Sequence, residues 1–155
     1  GILPIAGGET GVAAIMGHEV AHALANHGQQ RMSAGMIQQA GAIGVAAVTN
    51  EKSSKEQSIW MQAYGVGSSV AGMLPFSRSH ESEADQIGLY LMAIAGYNPD
   101  EASQLWERMK ANSGKKGPPE FLSTHPSNDS RISNLKSLAL RAKSEARKFG
   151  VTSFR

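Results

Sequence analysis

With 155 residues, the chain is long enough for one domain that buries a hydrophobic core. Its hydrophobic content of 41% and charged content of 18% exclude an intrinsically disordered protein. The formal net charge is only +2, and the basic residues are not clustered with aromatic ones, so nucleic-acid binding is not indicated. The absence of cysteine excludes disulfides and thiolate metal ligands. Residues 1–155 carry no signal peptide, and we expect one domain that is a fragment of a longer chain.

The first long helix is predicted from about Glu9 to His27, because Gly28 is a natural helix stop. Residues 1–8 ahead of it are expected to be the end of a strand or a loop. Apolar residues recur on one face of this helix, and we expect that face to pack into the core. These residues are Val12, Met16, Val20, Ala23 and Leu24.

The opposite face of the same helix carries a metal-site motif. His18 and His22 are four residues apart, so their side chains leave the helix about 40° apart and can bind one metal ion. Glu19 lies about 60° from His22, within reach of a water molecule on that metal. Two histidines and a glutamate in an H-E-x-x-H pattern are typical of zinc hydrolases. The alternative is a chance match on a buried helix.

Helices are also predicted for most of the remaining chain. We expect them over residues 30–48, 56–73 and 77–95, with Pro75 ending the second of these. Asn98 is expected to cap a further helix that buries Ala102, Leu105, Trp106 and Met109. After a Gly/Pro/Lys loop, a last helix begins at Ser127 or Asn128 and buries Ile132, Leu135, Leu138, Ala142 and Ala146. The predicted fold is mainly α, with five or so helices besides the first and little or no strand.

Two segments lack any charged residue, namely residues 32–50 and 57–77. Each is long enough to cross a bilayer. Their content of Gly, Ser, Gln and Asn favours buried helices over membrane-spanning ones.

A catalytic zinc site needs a third protein ligand and an open position for water. In the helix over 77–95, Glu81 and Asp85 share a face that continues to Gly88, where another helix can approach closely. Glu83 points about 160° away, toward solvent. We predict Glu81 as the third ligand and Asp85 as a hydrogen-bond partner of a ligand histidine. The alternative is that both are surface acids of an amphipathic helix.

The paired motifs resemble a known family. H-E-x-x-H at residues 18–22 followed by E-x-x-x-D at residues 81–85 is similar to the zinc metallopeptidases that include HtpX, the CAAX prenyl proteases, the bacterial periplasmic peptidases BepA and LoiP, and the mitochondrial Oma peptidase. Residues 1–3, 96–99 and 121–126, with Arg131, resemble the soluble periplasmic branch. The resemblance covers essentially the whole chain and implies a zincin-like metallopeptidase fold with one Zn²⁺ per chain.

Roles for the matching residues follow from the resemblance: His18, His22 and Glu81 as zinc ligands, Glu19 as general base, and Asp85 as the carboxylate behind a ligand. His125 matches a histidine that can approach the metal, where it would stabilise the oxyanion or cover the site; the alternative is an ordinary loop histidine. Arg78 matches a position that orients a carboxylate or binds substrate.

Helical geometry sorts the remaining candidates. Asn26 projects near Glu19 and can line the cleft. His27 lies about 160° from the ligand face and is expected to pack or cap. His80 lies about 100° from Glu81 and is not expected to bind metal.

The predicted function is therefore zinc-dependent hydrolysis of peptide bonds. The resemblance implies unfolded or misfolded envelope proteins as substrates, and a location in the bacterial periplasm or at a membrane facing it. A zinc-binding chaperone-like or adaptor module without turnover is the alternative. A third interpretation makes the two uncharged segments a membrane hairpin, as in the HtpX branch. Cleavage preference and oligomeric state are left open.

Overall fold

The computed structural model describes residues 2–112, 121, 125 and 129–155. Within these residues the helices are α1 (Leu3–Ala6), α2 (Glu9–Leu24), α3 (His27–Val48), α4 (Ser54–Ser68), a π-helical turn (Ser69–Met73), α5 (Leu74–Ile94), α6 (Asp100–Asn112) and α7 (Asp129–Lys148). No strand occurs in the described part of the chain, and the predicted mainly α class is confirmed.

The chain divides into two compact units. The first unit combines Gly1–Ala25 with Glu81–Arg155, and the second unit is the intervening segment Asn26–His80. Helix α5 therefore begins in the second unit and continues in the first. The assignment of residues 1–155 to one domain stays a prediction.

The core of the first unit is formed mainly by α5, α6 and α7. Its largest fully buried side chains include Met109 and Leu135, and Trp106 is also buried. The stripes predicted for α6 and α7 are confirmed, since the following residues are buried: Ala102, Leu105, Trp106, Met109, Ile132, Leu135, Ala142 and Ala146. Leu138 packs against this core while partly exposed. The Asn98 side chain accepts a hydrogen bond from the Asp100 amide at 3.1 Å, as the predicted start of this helix requires.

The buried face of α2 differs from the prediction. Its apolar stripe is largely exposed, with Met16 at 55% and Leu24 at 61% exposure. The buried residues are small ones and one histidine: Gly11, Ala14, Gly17, His18 and Ala21. Small side chains allow neighbouring helices to approach the backbone of α2, and this close packing decided which face is buried.

The ends of α2 also differ from the prediction. Residues 3–6 form the short helix α1 rather than a strand or loop, because Pro4 suits a first helical turn and Arg108 donates to the carbonyls of Ile5 and Ala6 at 2.9 and 2.8 Å. Helix α2 ends at Leu24 because Asn26 adopts a left-handed conformation with φ of 57°. Gly28 consequently lies inside α3.

The second unit has few buried residues. Among its described residues only His27, Thr49 and His80 are buried. Large apolar side chains on the two uncharged segments are exposed instead: Met32, Met36, Ile37, Ile43, Val48, Ile59, Trp60, Val66 and Val70. The predicted burial of these segments is therefore wrong.

The interface between α3 and α4, here called the polar seam, includes hydrogen-bonding side chains and a close contact at Gly41. The Tyr64 hydroxyl donates to the carbonyl of Gln38 at 2.8 Å, and the Gln38 amide donates to the Ser68 hydroxyl at 2.8 Å. The Tyr64 hydroxyl lies where a side chain on Gly41 would sit. The large apolar side chains of the two uncharged segments are exposed outside this polar seam.

Pro75 does not end a helix as predicted. It is the second residue of α5, which continues without a break from the π-helical turn, so the proline lies inside a longer helical run. The backbone passes into α5 through the π-helical turn, in which the Leu74 amide donates to the carbonyl of Ser69. Helix α5 accordingly starts at Leu74, three residues before the start at residue 77 that the sequence predicted.

Candidate metal centre

Four side chains of the first unit bring metal-binding atoms together. His18 and His22 come from α2 and Glu81 from α5, and His125 precedes α7. One nitrogen or oxygen from each lies within 4.8 Å of the others. The predicted ligands His18, His22 and Glu81 are thus close neighbours, and His125 joins them.

The donor atoms are spaced as neighbours around one small ion. Nε2 of His18 lies 3.0 Å from Nε2 of His22 and 3.4 Å from Oε2 of Glu81, and Nε2 of His22 lies 3.3 Å from Oε1 of Glu81. Nδ1 of His125 lies 3.2 Å from Nε2 of His18 and 3.0 Å from both Glu81 oxygens. One ring nitrogen from each of His18, His22 and His125 thus converges with the Glu81 carboxylate, from three separate parts of the chain.

Glu19 lies at the accessible side of this cluster. Its side chain is 46% exposed, and Oε1 lies 3.3 Å from Nε2 of His125. His125 therefore contacts the donor atoms through its Nδ1 and contacts Glu19 through its Nε2. The arrangement places the predicted base beside the donor atoms while leaving it accessible to solvent.

Asp85 lies behind the cluster. Its Oδ1 is 3.0 Å from Nδ1 of His18, the ring nitrogen that faces away from the other donors. Burial lowers the pKa of His18, but the carboxylates of Asp85 and Glu81 outweigh burial and the pKa is raised overall. Asp85 therefore lies where the predicted partner of a ligand histidine should lie, and its role in orienting His18 stays a prediction.

Glu81 is held as a carboxylate by its surroundings. Burial alone would raise its pKa, but hydrogen bonds from His125, His18 and His22, together with the charge of Arg131, hold the pKa well below its usual range. The ionised carboxylate is the form that binds a cation.

Arg131 is part of the resemblance to the family, but the sequence analysis assigned it no role in the site. Its guanidinium is buried, donates to both Asp85 oxygens at 2.8 and 2.7 Å, and lies 2.9 Å from Oε2 of Glu81. It also stacks over Trp106, 3.9 Å from the ring centroid. The available signal was an arginine one turn before Leu135 on the buried face of α7, because a buried arginine requires carboxylate partners.

The other candidate residues lie in the second unit. Asn26 is exposed at the start of α3, and Arg78 is exposed on α5. Their predicted roles in substrate binding stay predictions. The rings of His27 and His80 stack on each other with centroids 4.1 Å apart, and His80 lies 3.1 Å from the Gln30 side chain. Neither belongs to the donor group.

Comparison with known proteins agrees with this geometry. The model of peptidase family M48 matches residues 1–139. This chain belongs to family M48. The resemblance inferred from the two motifs is confirmed by this match.

Relatives within M48 come from mitochondria and from bacteria. The chain is 40% identical over 133 residues to the mitochondrial metalloendopeptidase OMA1 of Schizosaccharomyces pombe, covering 85% of this chain and 37% of the relative. It is 32% identical over 135 residues to human metalloendopeptidase OMA1, covering 83% of this chain and 25% of the relative. It is 26% identical over 138 residues to the beta-barrel assembly-enhancing protease of Escherichia coli, covering 84% of this chain and 28% of the relative.

The chain spans only about a quarter to somewhat over a third of the length of these M48 relatives. No solved structure matches the chain. Within the described ranges, none of the helices has the length and apolar character that crossing a membrane requires.

Proposed function

We propose that residues 1–155 form a zinc-dependent endopeptidase domain in which Glu19 is the general base. The observation that carries the proposal is the convergence of His18, His22 and Glu81 beside Glu19, a residue set that matches two metal-ligand motifs at once. Membership in M48 and relatives named metalloendopeptidases support the same activity.

Zinc fits the spacing of the donor atoms. Zinc binds histidine nitrogen and carboxylate oxygen at about 2.0–2.2 Å, so tetrahedral ligands lie about 3.3–3.6 Å from one another. The separations of 3.0–3.4 Å among the donor atoms are close to these values. Charge favours binding of a cation, because the carboxylates of Glu81 and Asp85 exceed the guanidinium of Arg131 by one negative charge.

Catalysis assigns a separate task to each side chain. A bound zinc ion would act as a Lewis acid on the scissile carbonyl and would acidify a water molecule toward a pKa of about 7. Glu19 takes a proton from the attacking water and delivers it to the leaving amine. Its exposed position at the edge of the cluster gives it access to both. Asp85 orients His18, and Arg131 orients Asp85 and Glu81.

In this account, His125 determines whether water or substrate could reach a bound metal ion. A catalytic zinc site has three protein ligands and leaves one position for water or substrate. Nδ1 of His125 lies among the donor atoms, so in the arrangement described this side chain would be a fourth ligand of a bound ion. We infer that His125 moves away when substrate enters, and that from its new position its ring can donate to the developing oxyanion.

Unfolded or misfolded proteins of an envelope or organelle membrane system are the proposed substrates, in a quality-control role. The support is the kinship with mitochondrial OMA1 peptidases and with a protease named for enhancing beta-barrel assembly. For a bacterial source, the proposed location is the periplasm or the membrane surface facing it.

A second candidate is a zinc-binding adaptor that binds unfolded protein without cleaving it. One observation favours it: a site with four protein donors is typical of structural zinc. In this case His125 would stay in place and Glu19 would have no proton to transfer.

Cleavage of unfolded casein by residues 1–155 separates the two candidates. We expect cleavage that stops with a chelator and returns with Zn²⁺. Glu19→Gln should retain zinc and lose about 10²–10⁴-fold in rate, whereas Glu83→Gln, an exposed acid of α5, should retain full activity. A Glu19→Gln variant as active as the parent would exclude Glu19 as the base. Casein binding without cleavage by the parent would favour the adaptor.

A further inference from the structure

We propose that direct backbone contact between Gly17 and Gly88 sets the width of the metal site and thereby its preference for a small ion. The two glycines are positioning residues, since neither carries a donor atom. The inference rests on the proposed metal-binding role of His18, His22 and Glu81.

The contact itself leaves no room for a side chain. A Cβ atom on Gly17 would lie 2.7 Å from the carbonyl oxygen of Gly88, and a Cβ atom on Gly88 would lie 2.8 Å from the carbonyl carbon of Gly17 and from the amide nitrogen of His18. Both residues are buried, and the opposing atoms are backbone atoms that cannot rotate away. Any larger residue at either position must therefore push α2 and α5 apart.

The crossing point lies next to the donor atoms along both helices. Gly17 directly precedes His18 in α2. In α5, Gly88 follows Asp85 by three residues and Glu81 by seven, so all three share one face. A separation of the helices at this point is transmitted to His18 on one side and to both carboxylates on the other.

Only some of the donor separations depend on this crossing. His18 and His22 belong to the same helix, so their 3.0 Å separation is fixed by helical geometry. The separations of 3.3 and 3.4 Å between these histidines and Glu81 span the two helices, as does the 3.0 Å from His18 to Asp85. A wider crossing would thus lengthen the histidine–glutamate distances and leave the histidine pair unchanged.

This dependence predicts a change in ion preference. Cd²⁺ is larger than Zn²⁺ and forms longer bonds to the same ligands, so a widened site penalises zinc more than cadmium. A substitution that only weakens packing is expected to lower the affinities for Zn²⁺ and Cd²⁺ by the same factor.

Gly11 provides a matched control. It lies on the same helix and is also buried, and a Cβ atom there would lie 2.0 Å from the carbonyl oxygen of Ala6 in α1, away from the metal donors. Gly11→Ala therefore disturbs close packing of α2 without touching its contact with α5.

The experiment measures Zn²⁺ and Cd²⁺ affinities by competition with a chelator, for the parent, Gly17→Ala, Gly88→Ala and Gly11→Ala, with folding checked by circular dichroism. We expect Gly17→Ala and Gly88→Ala to lose about 10–100-fold in zinc affinity, with a smaller loss for cadmium. Gly11→Ala should leave the ratio of the two affinities at the parent value. An unchanged ratio in both glycine-contact variants, or an equal change in Gly11→Ala, would overturn the proposal.

A variant that is unfolded without metal is tested by refolding at fixed concentrations of each ion. The proposal expects more folded Gly88→Ala protein with Cd²⁺ than with Zn²⁺, relative to the parent, because binding to the folded state alone stabilises it. Equal refolding with both ions would contradict it. A parent chain that binds neither ion would instead overturn the proposed function, so the two failures are distinguishable.

Discussion

The two units of the chain use similar proportions of apolar residues in opposite ways. The first unit buries a core of large apolar side chains that includes Leu89, Met109 and Leu135, together with a cluster of charged and histidine side chains, although the apolar stripe of α2 is exposed. The second unit buries only His27, Thr49 and His80 among its described residues and exposes its large apolar side chains. The cluster that binds metal in our account lies entirely within the first unit.

This difference teaches that neighbours, and not hydrophobicity alone, decide burial. In the first unit the small residues of α2 allow α5 to reach the backbone of α2, and the buried space takes His18 and Glu81. In the second unit the polar seam around Tyr64 and Gln38 joins the helices, and their large apolar side chains are exposed. Substitutions should therefore have large effects in the first unit and small effects in the second.

The largest expected effect on stability is that of Arg131→Met. Removing the guanidinium leaves the buried carboxylates of Asp85 and Glu81 without their cation, which typically costs about 3–5 kcal/mol. Urea unfolding of the metal-free protein measures the loss. Lys136→Met on the same helix is the control, because its ion pair with Glu107 is exposed and should contribute about 0–1 kcal/mol. Equal losses in both variants would contradict the assigned role of Arg131.

Leu135→Ala should come next. Leu135 is 1% exposed in the core of the first unit, and such a truncation costs about 2–5 kcal/mol. The two tryptophans allow the units to be observed separately, since Trp106 belongs to the first and Trp60 to the second. Fluorescence of Trp106 in a Trp60→Phe background should report the decrease in unfolding free energy. A loss below 1 kcal/mol would show that the core of the first unit is misplaced.

A pH dependence of smaller size is expected for the metal-free first unit. The pKa of Glu81 lies below its ordinary value of 4.5, so its contribution to stability is present above pH 4.5 and is lost as the pH falls. The pKa of His18 lies above 6.5, so its contribution is present below pH 6.5 and is lost as the pH rises. Unfolding free energy should therefore be highest between these values. Glu81→Gln should flatten the acid side, and an unaltered acid side would contradict the assignment.

The smallest effect is expected in the second unit. Ile37 is 74% exposed, so Ile37→Ala should change the unfolding free energy by no more than about 0.5 kcal/mol. Trp60 fluorescence in a Trp106→Phe background is the appropriate probe. A loss comparable to that of Leu135→Ala would mean that the outer face of α3 is covered in solution and would break the comparison between the units.

The parts of the molecule that could be predicted from sequence are those governed by local periodicity. The four-residue spacing of His18 and His22, the shared face of Glu81 and Asp85, and the buried stripes of α6 and α7 all follow from the helical repeat. The start of α6 follows from the preference of Asn98 for a capping position. Each of these features requires only one helix, which explains why it was predictable.

Features that depend on two elements were missed or reversed. The exposed stripe of α2 depends on how α5 packs against Gly17, and the polar seam depends on side chains from both α3 and α4. The role of Arg131 depends on carboxylates located 46 residues or more away in sequence. No periodicity within one segment reports such partners. Only an arginine on an otherwise apolar helix face indicates that a partner must exist.

Zinc binding at equilibrium tests the central claim most directly. Titration of the metal-free chain should reveal one tight Zn²⁺ site per chain in the parent and in Glu83→Gln, whose side chain is exposed on α5. Glu81→Gln, with the same chemical change two residues earlier, should lose about 10–100-fold or more in affinity. One tight ion retained unchanged in Glu81→Gln would contradict the account.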